Sequence, residues 1–389
     1  MTATALSPSN NCQLKSQIIP LTKYLTKTIT TTPIHFTKRR SFPSFAIKNE
    51  HQNKTAVPRN PSKIPPLVVV GSANADIYVE IDRLPGVGET ISAKNSQTLA
   101  GGKGANQAAC GAKLSHPTYF VGQVGEDASG KLITGALSEC GVGLEYVSVV
   151  KGNLPTGHAV VMLQADGQNS IIIVGGTNMS GWPEKFDDEG LKVVKNAGIV
   201  LLQREIPDSV NIQVAKDFCT IRFCIGKCDL VVAARNADVP VILDAGGMDA
   251  PLPRELFNFI DIFSPNESEL GRLTGVPTDS FEQISQAVLK CHEMGVKQVL
   301  VKLGAKGSAF FVEGEKPIIQ PAISAARVLD TTGAGDTFTA AFAVALVEGK
   351  SKEECLRFAA AAASLCVQLK GAIPSMPDRK SVLDLLQSV

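Results

Sequence analysis

The sequence predicts an α/β fold: a mainly parallel central sheet with helices on both faces. Three observations carry this expectation. Apolar runs of strand length recur at 199–202, 241–243, 260–263 and 298–301 with helical patterns between them, and such alternation implies a parallel sheet covered on both sides. Another run, Leu67-Val68-Val69-Val70, passes at once into Gly71-Ser72, as a buried strand ending in a small-residue turn does. Length is the third: 389 residues, 44% of them hydrophobic and 34 of them glycine, are ample for one large domain.

That domain is expected over 63–389, behind a tail and linker at 1–62. Residues 1–49 hold no acid, seven Lys or Arg and fourteen Ser or Thr, and Glu50 is the first carboxylate. A basic, hydroxyl-rich, acid-free N-terminus without a long apolar run reads as an organelle transit peptide. Its Ser and Thr content favours plastid (chloroplast) delivery over mitochondrion or cytoplasm, with removal of roughly the first 40 to 65 residues. A formal net charge of +1 gives no support for nucleic acid or an anionic membrane as partner. The nine cysteines lack metal-site spacing, Cys219, Cys224 and Cys228 having neither a neighbouring histidine nor paired short Cys-x-x-Cys elements.

Asn74 and Asp76 follow the first strand directly. Ligands of open α/β sheets bind beyond the carboxyl ends of strands, so both are candidate ligand contacts, although Asn and Asp also serve turns. Runs at 77–81 and 90–93 read as a strand pair around Pro85-Gly86-Val87-Gly88. Gly101-Gly102-Lys103-Gly104-Ala105-Asn106-Gln107-Ala108 then opens a helix; it is neither a P-loop nor a dinucleotide fingerprint, yet can wrap a small hydroxylated ligand. A second pair reads at 157–163 and 170–174, with Asp166-Gly167 as its hairpin turn.

The chemistry concentrates near the C-terminus, at Asp330-Thr331-Thr332-Gly333-Ala334-Gly335-Asp336-Thr337-Phe338. Residues 325–329 read as the end of a strand and 338–346 as a buried helix. The glycines therefore lie where a strand becomes a helix, and free N–H groups with the positive end of a helix dipole favour an anion. Asp336 is either a helix cap or a general base beside that anion hole.

Asn74-Ala75-Asp76, the glycine-rich stretch with Lys103, Pro265-Asn266-Glu267-Ser268-Glu269 and the Asp330–Phe338 motif stand in one order, and together they resemble the PfkB carbohydrate kinases, ribokinase branch. The resemblance spans roughly 66–385. It implies a Rossmann-like ribokinase fold in which the strand pairs at about 76–100 and 157–174 form a small β lid. It implies ATP-dependent phosphorylation of D-ribose at its 5-hydroxyl, feeding ribose from nucleoside breakdown into pentose phosphate metabolism. Another sugar or nucleoside kinase of this fold, or a catalytically silent scaffold, is the alternative.

By the same resemblance Asn74, Asp76, Gly102, Lys103, Asn106 and Glu205 match sugar contacts. Asp336 matches the catalytic base and Gly333, Ala334 and Gly335 the anion hole. Asn266, Lys302, Leu303, Gly304, Ala305, Lys306 and Gly307, with Gly335 and Asp336, match the ATP site, and Asn266 and Glu269 the Mg2+ motif. Asp330, Thr332, Cys366, Leu369, Gly371 and Ser375 match a K+ site. A homodimer through the lid is implied, with sugar and ATP as small-molecule partners. Two departures stand out. Lys302 occupies a position where a small hydroxyl residue is common, and 217–230 reads as an atypical insertion that breaks the helical pattern of 211–216.

Overall fold

The computed structural model describes residues 64–164, 169–184, 188–219, 239–248 and 250–389. Every element below lies in the compact unit Arg59–Val389. In chain order the strands are β1 (Leu67–Val70), β2 (Asn74–Ile81), β3 (Asn95–Gly101), β4 (Thr118–Gly125), β5 (Val147–Val150), β6 (Gly157–Gln164) and β7 (Asn169–Val174). After them come β8 (Ile199–Arg204), β9 (Val241–Gly247), β10 (Ile262–Ser264), β11 (Gln298–Lys302), β12 (Ser308–Val312) and β13 (Ile318–Gln320).

Nine of these form one sheet in the order β13-β12-β11-β10-β9-β8-β1-β4-β5. Pairing is parallel from β11 to β5, and only β12 and β13 run antiparallel at one edge. The expected α/β architecture is therefore present. Its cause shows in β1, where Leu67 and Val69 enter one apolar layer and Val68 and Val70 the other. Alternate side chains of a strand point to opposite faces, so a run apolar at every position needs cover on both. The Ala334–Val347 helix fills the first layer and is buried from Asp336 through Ala345.

The order reverses beside β1, whose neighbours β4 and β8 are both reached by crossovers. Such a switch point leaves a crevice at the carboxyl ends of the strands. A second sheet, β3-β2-β6-β7, stands apart, with β2 pairing β6 in parallel from Asn74↔Gly157 to Ile81↔Gln164.

Several expectations are corrected. Residues 90–93 are not a strand: the return strand is β3, whose polar Asn95, Ser96 and Gln97 are exposed and gave no apolar signal. Residues 325–329 are not a strand either. Val328 and Leu329 are exposed, and the Leu329 N–H is anchored by Val367 O at 2.8 Å, so the anion-hole segment enters its helix from a loop. The 260–263 strand begins only at Ile262. Strands β4, β5, β12 and β13 had no counterpart in the sequence reading. Residues 217–219 continue the Asp208–Cys219 helix, so its pattern does not break at 217. The rest of the proposed insertion, the 166–167 turn and the tail at 1–62 lie outside the described residues.

Candidate active site

The carboxyl ends of β1, β8, β9 and β11 converge with the glycine-rich loop and the Ala334–Val347 helix. Gly102 caps the Lys103–Lys113 helix with φ 90°. A Cβ there would lie 2.6 Å from Asn74 N, so only glycine lets the loop pack on the turn after β1. This close approach brings Glu205, just past β8, against both segments. Its Oε2 accepts from Ser72 Oγ at 2.6 Å and from Lys103 N–H at 3.1 Å, and more distantly from Asn74 Nδ2 at 3.5 Å.

Asp336 is buried and does not cap its helix. The N-cap is Gly333, in the left-handed region at φ 78°, with no side-chain cap bond. Asn106 Nδ2 donates to Asp336 Oδ2 at 2.9 Å and Gln107 Nε2 to Oδ1 at 3.4 Å, with Lys103 Nζ 3.6 Å from Oδ1. The structure thus brings Asn74, Asp76, Gly102, Lys103, Asn106, Glu205 and Asp336 into one cluster. Asn106 Oδ1 is buried there without a hydrogen-bond partner among the described residues.

The anion hole is narrower than the motif suggests. The Ala334 N–H is taken by Thr331 O at 3.2 Å, and the first intrahelical bond runs from Thr337 N–H to Gly333 O. Gly335 and Asp336 supply the N–H groups left over at the helix start.

Asn266 and Glu269 form a capping box on the Glu267–Thr274 helix, Asn266 Oδ1 accepting from Glu269 N–H and Glu269 Oε2 from Asn266 N–H, both at 2.8 Å. Glu269 Oε1 remains beside Gly246, where a Cβ would meet it at 2.8 Å. One carboxylate oxygen facing the site fits a water-carrying Mg2+ that takes most of its ligands from phosphate and solvent. Among the described residues no cluster of three or more His, Cys, Asp or Glu could hold a metal by itself.

Lys302 ends β11, its N–H bonded to Pro265 O at 2.9 Å, with Gly304–Lys306 following as a tight 3-10 turn closed by Leu303 N–H to Gly307 O at 2.8 Å. Ala305 and Lys306 are exposed on that turn, and Lys306 is turned outward to Glu267 at 3.1 Å.

The K+ candidates also meet. Asp330, 2% exposed, accepts from Thr332 N–H and Gly371 N–H, both at 2.9 Å. Cys366 Sγ lies 3.1 Å from Ser375 Oγ, and Leu369 N–H donates to Cys366 O at 3.3 Å. A buried carboxylate that accepts from neutral backbone donors fits a nearby monovalent cation.

Residues beyond the motifs complete the site. Asp244, in the middle of β9, is fully buried and accepts from Lys302 Nζ at 2.6 Å. Burial alone would raise its pKa, but Lys103, Lys302 and the Gly246 N–H hold it well below the usual carboxylate range. Its signal was available: it follows directly on the apolar 241–243 run, where the sequence places a strand's carboxyl end. Asn178 donates to Asn74 Oδ1 at 2.7 Å and to Ala73 O at 3.0 Å, and Gln203 Nε2 donates to Gln107 Oε1 at 2.7 Å. Nothing in their local sequence marks these two.

Asp76 is under electrostatic stress. Burial first, then the charges of Glu205 and Asp336, push its pKa up from 3.8 to about 8. Between those values the folded protein keeps a proton that the unfolded chain has lost. Asp76 therefore favours the fold fully below the lower value, and that contribution is lost as pH rises towards about 8. Asp76→Asn is expected to gain thermal stability relative to the parent as pH is raised from about 5 to 8. Melting curves of the two proteins across that range check this, and parallel curves would refute it. Removing this hydrogen-bonding group altogether, as in Asp76→Ala, is expected to weaken sugar binding about two- to tenfold at neutral pH, where the folded carboxyl is protonated.

Residues 65–379 match the description "pfkB family carbohydrate kinase". The chain is 73% identical to ribokinase of Arabidopsis thaliana over 325 residues, 83% of this chain and 81% of that one. It is 36% identical to ribokinase of Bacillus subtilis over 320 residues, 82% of this chain and 99% of the other. A structure of Arabidopsis thaliana ribokinase complexed with ribose and ATP superposes with a TM-score of 0.75 at 72% identity, covering 84% of this chain and 99% of that one. A buried base candidate, a glycine-built anion hole and a cluster of polar side chains at the switch point thus accompany the sequence likeness: the chain belongs to the PfkB family of carbohydrate kinases.

Proposed function

We propose that this protein is an ATP-dependent ribokinase that phosphorylates the 5-hydroxyl of D-ribose. The observation that carries the reading is the Asn106 side chain. Its amide donates to Asp336 while its Oδ1 is buried and unpaired, so a hydroxyl donor placed there lies beside the base. Asp336 accepts the hydroxyl proton, and the Gly335 and Asp336 N–H groups face the oxygens of the phosphoryl group under attack. Mg2+ arriving with ATP neutralises phosphate charge, and Asn266 and Glu269 are the residues that would hold its waters. A K+ ion would be held by Asp330, Thr332, Cys366, Leu369, Gly371 and Ser375, fixing the backbone that presents the anion hole.

An ADP-release assay with ribose, other sugars and nucleosides, with and without K+, tests this. ATP turnover with ribose, stimulated by K+, is expected. A stronger response to another acceptor favours a sister activity of the fold, and no turnover favours a silent scaffold.

The second sheet supports a lid that closes over the sugar and joins two copies. Its edge strand β7 exposes Ile171, Ile172, Ile173 and Val174 in succession, a long apolar edge that a partner would cover. Light scattering that gives a monomer mass would sink the dimer. The composition of 1–49 supports delivery to plastids; a reporter fused to this segment that stays in the cytosol would refute that.

A further inference from the structure

Asp244 gathers groups from four parts of the chain. Lys302 Nζ at 2.6 Å and Thr339 Oγ1 at 3.2 Å reach its Oδ2, while Gly246 N–H at 3.0 Å and Lys103 Nζ at 3.5 Å reach its Oδ1. The two lysines face different ligands. Lys103 belongs to the glycine-rich sugar loop and stands 3.6 Å from Asp336. Lys302 flanks the anion hole: a Cβ on Gly335 would lie 3.9 Å from Lys302 Cδ. Thr339 is on the helix that carries Asp336, about one turn further on.

Asp244 is the carboxylate the two ammonium groups share: Lys103 also stands near Asp336, Glu269 and Glu205, whereas Lys302 has no second carboxylate partner among the described residues. Because Asp244 is fully buried, the division of its charge between them is only weakly screened. A phosphate at Gly335 that draws Lys302 towards itself leaves Asp244 to Lys103 alone, and Lys103 then leans less on Asp336. Sugar bound at Lys103 shifts the balance the other way.

Resting on the ribokinase reading above, we propose that Asp244 is a positioning residue that couples the nucleotide and sugar sites, as the shared counter-ion of Lys302 and Lys103. Such coupling is reciprocal, and each ligand changes the affinity for the other by the same factor. A purely structural counter-ion would support the fold without linking the ligands.

Calorimetry of ribose binding, with and without saturating Mg2+ and a non-hydrolysable ATP analogue, reads the coupling directly. The parent is expected to show a ratio of ribose affinities of about fivefold or more. Asp244→Asn, nearly isosteric but uncharged, is expected to bring that ratio to within about twofold of unity. If Asp244→Asn does not fold, the double variant with Lys302→Met removes an excess cation with the charge it balanced, and the same ratio is read. A variant ratio equal to the parent's, or a parent that shows no coupling, overturns the proposal. Absence of ATP-dependent ribose phosphorylation in the parent would instead overturn the functional reading beneath it.

Discussion

Replacing Asp336 by Asn is expected to cut turnover by about 10²- to 10⁴-fold while sugar and ATP affinities change little. A capping role would predict almost no effect, since Asn caps helices about as well as Asp. The geometry already separates the two roles. Gly333 occupies the cap position, and the Asp336 carboxylate points to Asn106, Gln107 and Lys103. Every one of those neighbours donates, so they select an acceptor-only group, and an Asn side chain must aim its own N–H₂ at a donor. That mismatch costs about 1–3 kcal/mol, the removal of one charge from a site shared with Asp76 and Glu205 offsetting part of it. The melting temperature should therefore move by only a few degrees. Turnover and melting measured on one preparation decide the matter, and near-normal turnover would remove Asp336 from the chemistry.

The parts of this fold that were legible in the sequence are those where burial leaves no choice. Leu67 to Val70 are wholly apolar because both faces of β1 are covered, and the 334–347 helix reads as buried because it is apolar nearly all round. What escaped was fixed by pairing partners rather than by apolar pattern. Strand β3 is mostly exposed and polar and exists because β2 offers it a ladder from Glu80↔Asn95 to Asn74↔Gly101. Val328 and Leu329 misled in the opposite sense, being apolar residues left in the open.

At the site, residues that the family resemblance covers were found, Glu205 among them, whereas Asp244, Asn178 and Gln203, which no motif marks, were missed. Asp244 lies far along the chain from both Lys103 and Lys302, and Asn178 reaches Asn74 from beyond β7. Lys302 shows the gain from geometry. It stood out in the sequence as a departure from a small hydroxyl residue. In the fold its charge has a partner, because Asp244 stands opposite it.

Lys103→Met is the substitution expected to reach furthest, because one ammonium serves four carboxylates. Burial works against its charge, yet Asp244, Asp336, Glu269 and Glu205 together raise its pKa well above the ordinary lysine range. Methionine matches the stem and removes the charge, leaving Lys302 as the one lysine paired with any of those carboxylates among the described residues. Breaking one partner out of a buried ion pair costs about 3–5 kcal/mol, and the lower end applies because the Lys103 side chain is 24% exposed. The loss should depend on pH. Burial already raises Glu205, and Lys103 is the main charge pulling it down. Without that charge the folded value of Glu205 climbs further above its unfolded value, so stability persists at low pH and drains away as pH rises through the folded value. Melting of the variant should approach that of the parent near pH 5 and fall well below it near pH 8. The sugar side loses a charged donor in the same step, so ribose affinity is expected to drop about tenfold to more than a hundredfold. Equal melting curves at both pH values would show that the four carboxylates do not depend on this lysine. Unchanged ribose affinity would show that the glycine-rich loop does not hold the sugar.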